Sequence, residues 1–277
     1  MMGEHLTEDL TETFTDDSHV TMKDYLASLR YAGMIQKSML PLPALMTSLL
    51  REYFVSFMPR DFVSGDFYYV YRGRDFYCVA AGDCTGHGVP GSLLSIMGVS
   101  FLNEILQCQP SPRANRVLNL MREKVMSALH QTGVSGEQMD SIDMSLCIFT
   151  PGSYEMQFSG ANRPLFIVRD GQLREIKADK MPIGPAPLVE EPFTNKIVSF
   201  DDDDMFYLFS DGFPDQFGGP LNKKFKYRQF RALLSEVAAY KPSRQKRVIE
   251  LTFADWKGNH RQVDDVTVFG FKPKIII

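Results

Sequence analysis

The sequence predicts an α+β fold built from antiparallel sheets. Two observations favour this class: short aromatic and β-branched segments typical of strands occur in runs, and pairs of helical segments separate those runs. The regular alternation of single strands and helices that indicates a doubly wound parallel sheet is absent. With 44% hydrophobic and 23% charged residues among 277, the composition is that of an ordinary globular chain and argues against disorder.

The first fifty residues carry helical signals. Residues 1–20 are acidic, polar and aperiodic, and we predict that they are flexible. From Thr21 to Leu40, apolar residues recur at a spacing near 3.6 and predict a helix that Pro41 ends, and a short helix over Ala44–Leu50 follows. We interpret residues 21–50 as a helical linker or regulatory segment, which either pairs with a partner or packs on its own domain.

Residues 51–277 are predicted to form the main domain. Strand signals cover YFVSFMP, DFYYVYRG, DFYCVAAGD, MSLCIFTP, YEMQFSG, the hairpin PLFIVRDGQLREIK, NKIVSF, MFYLFSD and DDVTVFGFK. Helical signals cover Gly91–Gln107, Arg113–His130, Lys226–Ala239 and Ser243–Asp255. The first of these helices is apolar on most sides and is therefore predicted to be buried. The acidic run Asp201–Asp204 is predicted to be a solvated turn.

Charge and cysteine content exclude several classes of function. The net charge is −4, and the richest basic stretch, Asn222–Arg231, reads as a solvated surface, so a nucleic-acid partner is not expected. Four cysteines without a CxxC pair indicate a reducing compartment. The N-terminus lacks a signal-peptide core, and the uncharged stretch Cys84–Asn103 is too rich in glycine and serine for a good membrane span. We therefore predict a cytoplasmic protein with no membrane span.

Four aspartates stand at the ends of predicted strands: Asp66, Asp83, Asp211 and Asp264. One such residue is usually part of an Asp-Gly turn. Four of them, with no lysine or arginine at the same strand ends, would repel one another unless protons or cations neutralise them. Oxygen ligands suit Mg²⁺ or Mn²⁺, whereas the single histidine nearby, His87, cannot build a zinc site. Two such ions would activate a water for in-line attack on a phosphate.

Four stretches, three of which contain these aspartates, occur in an order typical of one family. They are Ile35–Pro41 (IQKSMLP), Ser64–Tyr68 (SGDFY), Gly82–Pro90 (GDCTGHGVP), and Phe209–Gly212 (FSDG) with Asp264–Thr267 (DDVT). Through these motifs the chain, from about residue 30 to 270, resembles the metal-dependent (PPM, type 2C) serine/threonine phosphatases, in particular the bacterial SpoIIE/RsbU-like branch. The resemblance implies an αββα sandwich of two antiparallel sheets flanked by helices, preceded by an N-terminal linker helix.

The resemblance also implies a set of catalytic metal ligands. They are the side chains of Asp66, Asp83, Asp211 and Asp264, together with the main-chain carbonyl of Cys84. Asp66 and Asp83 would bridge two Mn²⁺ or Mg²⁺ ions. Asp265, beside Asp264, is the less favoured alternative as a ligand. The Cys84 thiol is not expected to act as a nucleophile, because its neighbourhood lacks the arginine-ended phosphate loop of cysteine phosphatases.

Other polar residues near the motifs have both a functional and a purely structural interpretation. Asp143 or Asp140 would bind a third, weaker ion, or is simply an acid at the start of a strand. Arg60 and Arg163 would hold the substrate phosphate, to which the guanidinium fork is suited, or are ordinary surface arginines. Many type 2C enzymes carry a histidine two positions after a metal ligand. Here His87 stands four positions after it, so we do not assign it the role of general acid.

Together these inferences predict a metal-dependent hydrolase of phosphoserine or phosphothreonine. The resemblance implies that its substrate is a phosphorylated STAS-type anti-sigma-factor antagonist or a similar bacterial regulator. The alternative is a catalytically silent interaction module of the same fold, although all four acids are retained. A two-metal nuclease would need a basic and aromatic groove that the sequence lacks. We also expect the helix over residues 21–40 to pair, as a homodimer or with a sensor domain, and thereby to shift the aspartates relative to one another.

Overall fold

The computed structural model describes residues 21–134, 139–186 and 191–275, so the predicted flexible segment 1–20 lies outside the described residues. The helices are α1 (Met22–Met39), α2 (Pro43–Leu49), α3 (Gly88–Gln107), α4 (Ala114–Ala128), α5 (Gly212–Asp215), α6 (Lys226–Val237) and α7 (Pro242–Lys257). The strands are β1 (Leu50–Met58), β2 (Asp66–Arg72), β3 (Tyr77–Cys84), β4 (Ile142–Phe149), β5 (Glu155–Ala161), β6 (Leu165–Arg169), β7 (Gln172–Ile176), β8 (Lys196–Ser199), β9 (Met205–Phe209), β10 (Phe217–Gly218), β11 (Lys223–Lys224) and β12 (Val266–Pro273).

Two five-stranded sheets form the centre of the fold, and all their strand pairs are antiparallel. The first sheet has the order β1-β12-β9-β6-β7, and the second has the order β2-β3-β4-β5-β8. In the described part of the chain, β10 and β11 form a separate two-stranded hairpin. The predicted α+β class with antiparallel sheets is therefore confirmed.

Alternating side chains on the strands place the sheets between two layers of helices. On β3, Tyr77 and Val79 face the first sheet, whereas Cys78 packs towards α3 and α4. On β9, Phe206 lies between the sheets, and Tyr207 packs on the other side against α6 and α7. Because both faces of both sheets are covered in this way, the four layers form the αββα sandwich that the resemblance implied.

The buried helix α3 was predicted from an apolar composition on most sides, and it lies against the second sheet. Leu94, Leu102 and Ile105 belong to the core shared with β2, β3 and α4. Among the described residues, α3 alone has the length and mean hydropathy of a membrane span, and half of that stretch is buried inside the fold. Core helices share these properties, and the packing of α3 is that of a core helix.

The structure also adds elements and corrects one prediction. The predicted hairpin turn at Asp170 and Gly171 is confirmed, since both residues have positive φ, as a two-residue hairpin turn requires. Helix α5 and the β10–β11 hairpin were not predicted. The reading of Asp201–Asp204 as a solvated turn was wrong for Asp204. That residue is fully buried and accepts two hydrogen bonds of 2.6 Å from the guanidinium of Arg169.

Candidate metal centre

Three aspartates form one row across the second sheet. In the antiparallel register, Asp66 at the start of β2 is paired with Asp83 on β3, and Asp83 is paired with Asp143 on β4. Residues directly opposite on neighbouring strands have Cβ atoms about 5 Å apart. The row therefore sets three carboxyl groups side by side at one end of this sheet. Asp140, the other acid proposed for a third ion, lies outside the row in the loop before β4.

The first sheet brings further aspartates to the same edge. Asp211 follows β9 as the N-cap of α5, and Asp264 lies just before β12. Between them, the Ser210 N–H donates to the Thr267 carbonyl at 3.0 Å, which aligns the two strand ends. The Ser210 hydroxyl then donates to Asp66 Oδ2 at 2.5 Å and joins the first sheet to the second. The four aspartates singled out in the sequence therefore lie at one edge, between the sheets.

The carboxyl groups of this edge disfavour each other's ionised form. Burial raises the pKa of Asp83 to about 7, and the guanidinium of Arg163 opposes this shift only in part. Burial, with repulsion from Asp83, raises the pKa of Asp66 well above its ordinary value. Burial likewise raises the pKa of Asp143 and of Asp264. Neighbouring carboxylates add to each of these shifts, so the edge is a site where a cation is favoured.

The sequence has no lysine or arginine at the strand ends themselves, but the structure brings a basic side chain from a neighbouring loop among these acids. Arg163 lies in the loop between β5 and β6, and its side chain is only 11% exposed. One terminal nitrogen, Nη2, lies 2.8 Å from Asp83 Oδ2, 3.2 Å from Asp143 Oδ2 and 2.5 Å from Asp211 Oδ2. Because this loop crosses from the second sheet to the first, it places the Arg163 side chain at the edge where strands of both sheets end.

Asp265 has a structural environment different from that of Asp264. Its carboxylate accepts the backbone N–H of Arg60 at 2.7 Å on one oxygen and that of Gly65 at 2.7 Å on the other. Asp264 has only its own neighbour's N–H as a hydrogen-bond donor among the described contacts, at 2.8 Å. Asp265 thus holds the β1–β2 connection in place, and Asp264 has the freer carboxylate.

Glycines allow the backbone around Cys84 to pack closely. A Cβ at Gly91 would lie 2.3 Å from the Gly86 carbonyl oxygen, and one at Gly65 would lie 2.6 Å from the same atom. Gly86 itself has a φ of +82°. The Cys84 thiol is buried in the core beneath α3, and burial followed by repulsion from Asp83 raises its pKa well above the ordinary value. A thiol of this kind is a poor nucleophile at neutral pH.

The remaining predicted residues lie around this edge. The Arg60 side chain lies beside the Asp264 loop, where Nη1 donates to the Val263 carbonyl at 3.3 Å. His87 is the N-cap residue of α3, and its Nδ1 lies 3.7 Å from an oxygen of Asp61. Both side chains face solvent more than the buried Arg163 does, and neither contacts the row of aspartates through a hydrogen bond in the described structure.

Sequence reasoning missed three supporting residues. Besides Ser210, they are Asn162, whose Nδ2 donates to Asp143 Oδ1 at 2.8 Å, and Tyr227, whose hydroxyl lies 3.4 Å from Arg163 Nη1. Ser210 and Asn162 stand next to residues that were singled out, in FSDG and GANRP, so their position was a usable signal. Tyr227 on α6 had no such signal, because only the folded chain brings that helix to this edge.

The residues fit a divalent metal centre by their chemistry. As the side chains are placed, no group of three or more His, Cys, Asp or Glu residues in the described part of the chain is arranged to hold an ion. All the converging donors are nevertheless carboxylate oxygens, which Mg²⁺ and Mn²⁺ prefer. They also already attract a cation, because the guanidinium of Arg163 lies among three of them.

Comparison with known proteins assigns the family. A family model described as stage II sporulation protein E (SpoIIE) matches residues 73–274. The chain belongs to the SpoIIE family. This match and the structural similarities below confirm the SpoIIE/RsbU-like branch of the PPM phosphatases that the motifs indicated. No curated protein sequence matches the chain.

Solved structures share the fold of this SpoIIE-family chain. The SiaA-PP2C domain of Pseudomonas aeruginosa is 29% identical, with a TM-score of 0.81 over 90% of this chain and 97% of that one. The PP2C phosphatase domain of SpoIIE from Bacillus subtilis, with a fragment of its regulatory domain, is 18% identical with a TM-score of 0.62. The RsbU and RsbW domains of a Mycobacterium tuberculosis protein are 17% identical with a TM-score of 0.62. The last two matches include 80% and 83% of this chain, respectively, and 62% of each of those two structures.

Proposed function

We propose that this SpoIIE-family chain is a metal-dependent phosphatase that hydrolyses phosphoserine or phosphothreonine in proteins. The observation that carries the proposal is the convergence of aspartates from both sheets at one edge, in a chain with the PP2C fold. A buried set of oxygen donors is suited to binding divalent ions and therefore favours a metal-dependent mechanism over one that uses a cysteine nucleophile. The buried Cys84 thiol, whose pKa is raised, supports the same conclusion.

The proposed ligands of two Mn²⁺ or Mg²⁺ ions are Asp66, Asp83, Asp211, Asp264 and the carbonyl of Cys84. When bound, the ions would supply an activated water and neutralise the phosphate oxygens. Asp66 and Asp83 are opposite each other in the β2–β3 register, which is the arrangement that shared ligands need. Asp143, next in the row, is the proposed ligand of a third, weaker ion. Magnesium accompanies one PP2C-fold relative, RsbX, in its solved structure.

The protein chain itself would orient both the ligands and the substrate. Ser210 fixes one oxygen of Asp66, and Asn162 fixes one oxygen of Asp143. Arg60 and Arg163 are the cationic side chains proposed to bind the substrate phosphate, since both lie at this edge. The proposed substrate is a phosphorylated STAS-type regulator, in line with the names RsbU and SpoIIE among the structural relatives.

The test is hydrolysis of p-nitrophenyl phosphate with and without Mn²⁺, by wild type and by Asp211→Asn. The variant is expected to lose Mn²⁺-stimulated turnover by at least about a hundredfold, as loss of a group that stabilises the transition state does. Asp215→Asn is the matched control. Asp215 is the last residue of α5 and pairs with Lys224 at 2.8 Å, away from the row, so this variant should retain activity. Equal Mn²⁺-stimulated turnover of wild type and Asp211→Asn would refute the assignment of Asp211. Absence of Mn²⁺-dependent turnover in both would refute the proposed activity and favour the silent module.

We further propose that α1 regulates this site. The side chain of Gln36 on α1 is buried; its Nε2 donates to the Ser64 carbonyl at 2.6 Å, and its Oε1 accepts the Ser64 N–H at 2.9 Å. Ser64 lies two residues before Asp66, and its hydroxyl accepts the Asp66 N–H at 3.0 Å. A movement of α1 therefore reaches a proposed metal ligand through two hydrogen-bonded residues.

The exposed surface of α1 is the proposed contact for a second copy of the chain. Five apolar side chains along this helix are between 47% and 73% exposed: Met22, Tyr25, Tyr31, Met34 and Ile35. Deletion of residues 1–40 is expected to yield a monomer with lower Mn²⁺-dependent turnover, measured by light scattering and phosphate release. A deletion variant with unchanged mass per particle and unchanged turnover would contradict this regulatory role.

A further inference from the structure

The buried Arg163 forms ion pairs of unusual geometry. A guanidinium frequently binds one carboxylate through two parallel hydrogen bonds. Arg169 does this with Asp204, using Nε and Nη2, each at 2.6 Å. Arg163 instead presents the single atom Nη2 to three separate carboxylates, and its buried Nε has no hydrogen-bond acceptor among the described residues. Its guanidinium thus lies among the acids as a point charge.

The carboxylates around Arg163 outnumber it. Asp83, Asp143 and Asp211 all lie within 3.2 Å of Nη2. Among the described residues, no other lysine or arginine is within ion-pair distance of these three carboxylates. One positive charge facing three acids leaves an excess of negative charge, and a divalent ion at the same place would balance it better.

The backbone of Arg163 is anchored, whereas its side chain has space to leave. The Ser145 hydroxyl donates to the Arg163 carbonyl at 2.8 Å, and the Arg163 N–H donates to the Ala161 carbonyl at 2.6 Å. The residues on either side of Arg163, together with Tyr227, line a cavity of about 400 Å³. Tyr227 already lies 3.4 Å from Nη1. This cavity, lined by its two neighbours in the chain, is the space into which a released guanidinium would move.

We propose that Arg163 is an internal counter-cation that competes with the divalent ion for Asp83, Asp143 and Asp211. Without metal it holds the three carboxylates together and stabilises the fold. Metal binding requires it to leave them, and the released guanidinium then lies beside the site, where the proposed function places the substrate phosphate. The competition itself concerns metal binding, and it would stand even if the chain hydrolysed no phosphoester.

The proposal predicts that removing Arg163 has opposite effects on the two measured properties: stability falls and metal affinity rises. Arg163→Gln is expected to lower the melting temperature of the EDTA-treated protein, because three buried acids lose their cation. The same variant is expected to bind Mn²⁺ on the order of tenfold more tightly in calorimetric titrations at pH 8, because the competitor is gone. An arginine that merely supported the structure would, on removal, weaken both stability and metal binding.

Two further variants separate competition from folding. Arg169→Gln removes an ion pair between a half-exposed arginine and the buried Asp204, away from the site, so it should lower the melting temperature and leave the Mn²⁺ dissociation constant unchanged. Arg163→Lys keeps a positive charge, and its Mn²⁺ affinity should lie between those of wild type and Arg163→Gln. An Arg163→Gln variant that binds Mn²⁺ as weakly as wild type or more weakly would overturn the proposal, as would absence of Mn²⁺ binding in both.

The wild-type protein provides a test that does not depend on the folding of Arg163→Gln. The Nε–H signal of Arg163 in ¹⁵N NMR spectra is assigned by its loss in Arg163→Lys. Saturation with Mg²⁺ should shift this signal, while that of Arg169 stays in place. An unmoved Arg163 signal at saturating Mg²⁺ would overturn the proposal. Metal binding with the expected shift but without phosphatase activity would refute only the proposed function.

Discussion

The contact between Gln36 and Ser64 predicts that a residue outside the row of aspartates controls their alignment. The change that tests this is Gln36→Leu, which replaces the polar side chain by an apolar one of similar size in the same space. It removes three hydrogen bonds: Nε2 to the Ser64 carbonyl at 2.6 Å, Nε2 to Ser95 Oγ at 2.7 Å, and the Ser64 N–H to Oε1 at 2.9 Å. The Ser64 carbonyl keeps the Ser95 hydroxyl as a donor at 3.2 Å, whereas the Ser64 N–H loses its acceptor.

The size of the effect follows from these bonds. Each buried hydrogen bond contributes roughly 1 kcal/mol, and an unsatisfied buried N–H costs about 1–3 kcal/mol. We expect the free energy of unfolding to fall by about 3 kcal/mol, which lowers the melting temperature by roughly 5 °C in a chain of this size. Because Ser64 Oγ accepts the Asp66 N–H, we also expect at least about a fivefold loss of Mn²⁺-dependent turnover per folded molecule.

The matched control is Gln245→Leu. Gln245 is fully buried and makes a comparable set of bonds in the other helix layer: Tyr207 Oη donates to its Oε1 at 2.8 Å, and its Nε2 donates to the carbonyls of Tyr240 and Ala238. Both variants are assayed with p-nitrophenyl phosphate well below their melting temperatures. If Gln36→Leu loses stability as Gln245→Leu does but keeps full turnover, α1 supports only the fold and the reasoning is refuted.

Two further perturbations test the chemistry and the packing of the site. Because burial raises the pKa of Asp83 from 3.8 to about 7, the folded metal-free protein binds more protons than the unfolded chain between these values. Its stability should therefore fall by a few kcal/mol as pH rises from about 4 to 7. Melting curves in EDTA should show this slope in wild type and a shallower one in Asp83→Asn, where the other carboxyl groups with raised pKa still contribute; equal slopes would contradict the shift. Gly91→Ala places a Cβ 2.3 Å from the Gly86 carbonyl oxygen and should destabilise the protein by about 1–3 kcal/mol in urea titrations, whereas the exposed Ser100→Ala on the same helix should not.

The strands were predictable because their sequences are short, aromatic and β-branched, and turn residues separate them. The hairpin through Asp170 and Gly171, for example, needs two positive-φ residues, and this dipeptide supplies them. The sandwich arrangement of the two sheets came from the family resemblance, since periodicity alone does not say which strands pair. Helix α5, with four residues, is too short to show a helical period and was missed for this reason.

The acids of the site were predictable, and Arg163 was a candidate phosphate ligand, but its place among the acids was not predicted. Aspartates at strand ends are visible in the sequence, because the flanking apolar runs mark where each strand stops. Arg163 is followed by a proline in a loop that reads as surface, and nothing local shows that its side chain turns inward. Asn162, with a φ of 55°, reverses the chain just before it, and Ser145 on β4 fixes the loop from below. The direction of the arginine is therefore a tertiary property.

The division of the aspartates between two sheets would allow the proposed control of the site by α1. The row of Asp66, Asp83 and Asp143 is fixed within the second sheet by ladder hydrogen bonds and cannot change its internal spacing easily. Asp211 belongs to the other sheet, and the two sets meet through individual side-chain contacts, such as Ser210 with Asp66 and Arg163 with Asp211. A small shift of one sheet edge against the other would change the distance between the two sets while leaving each intact. Since α1 is hydrogen-bonded to the first turn before β2, metal affinity is the property that such a shift would alter first.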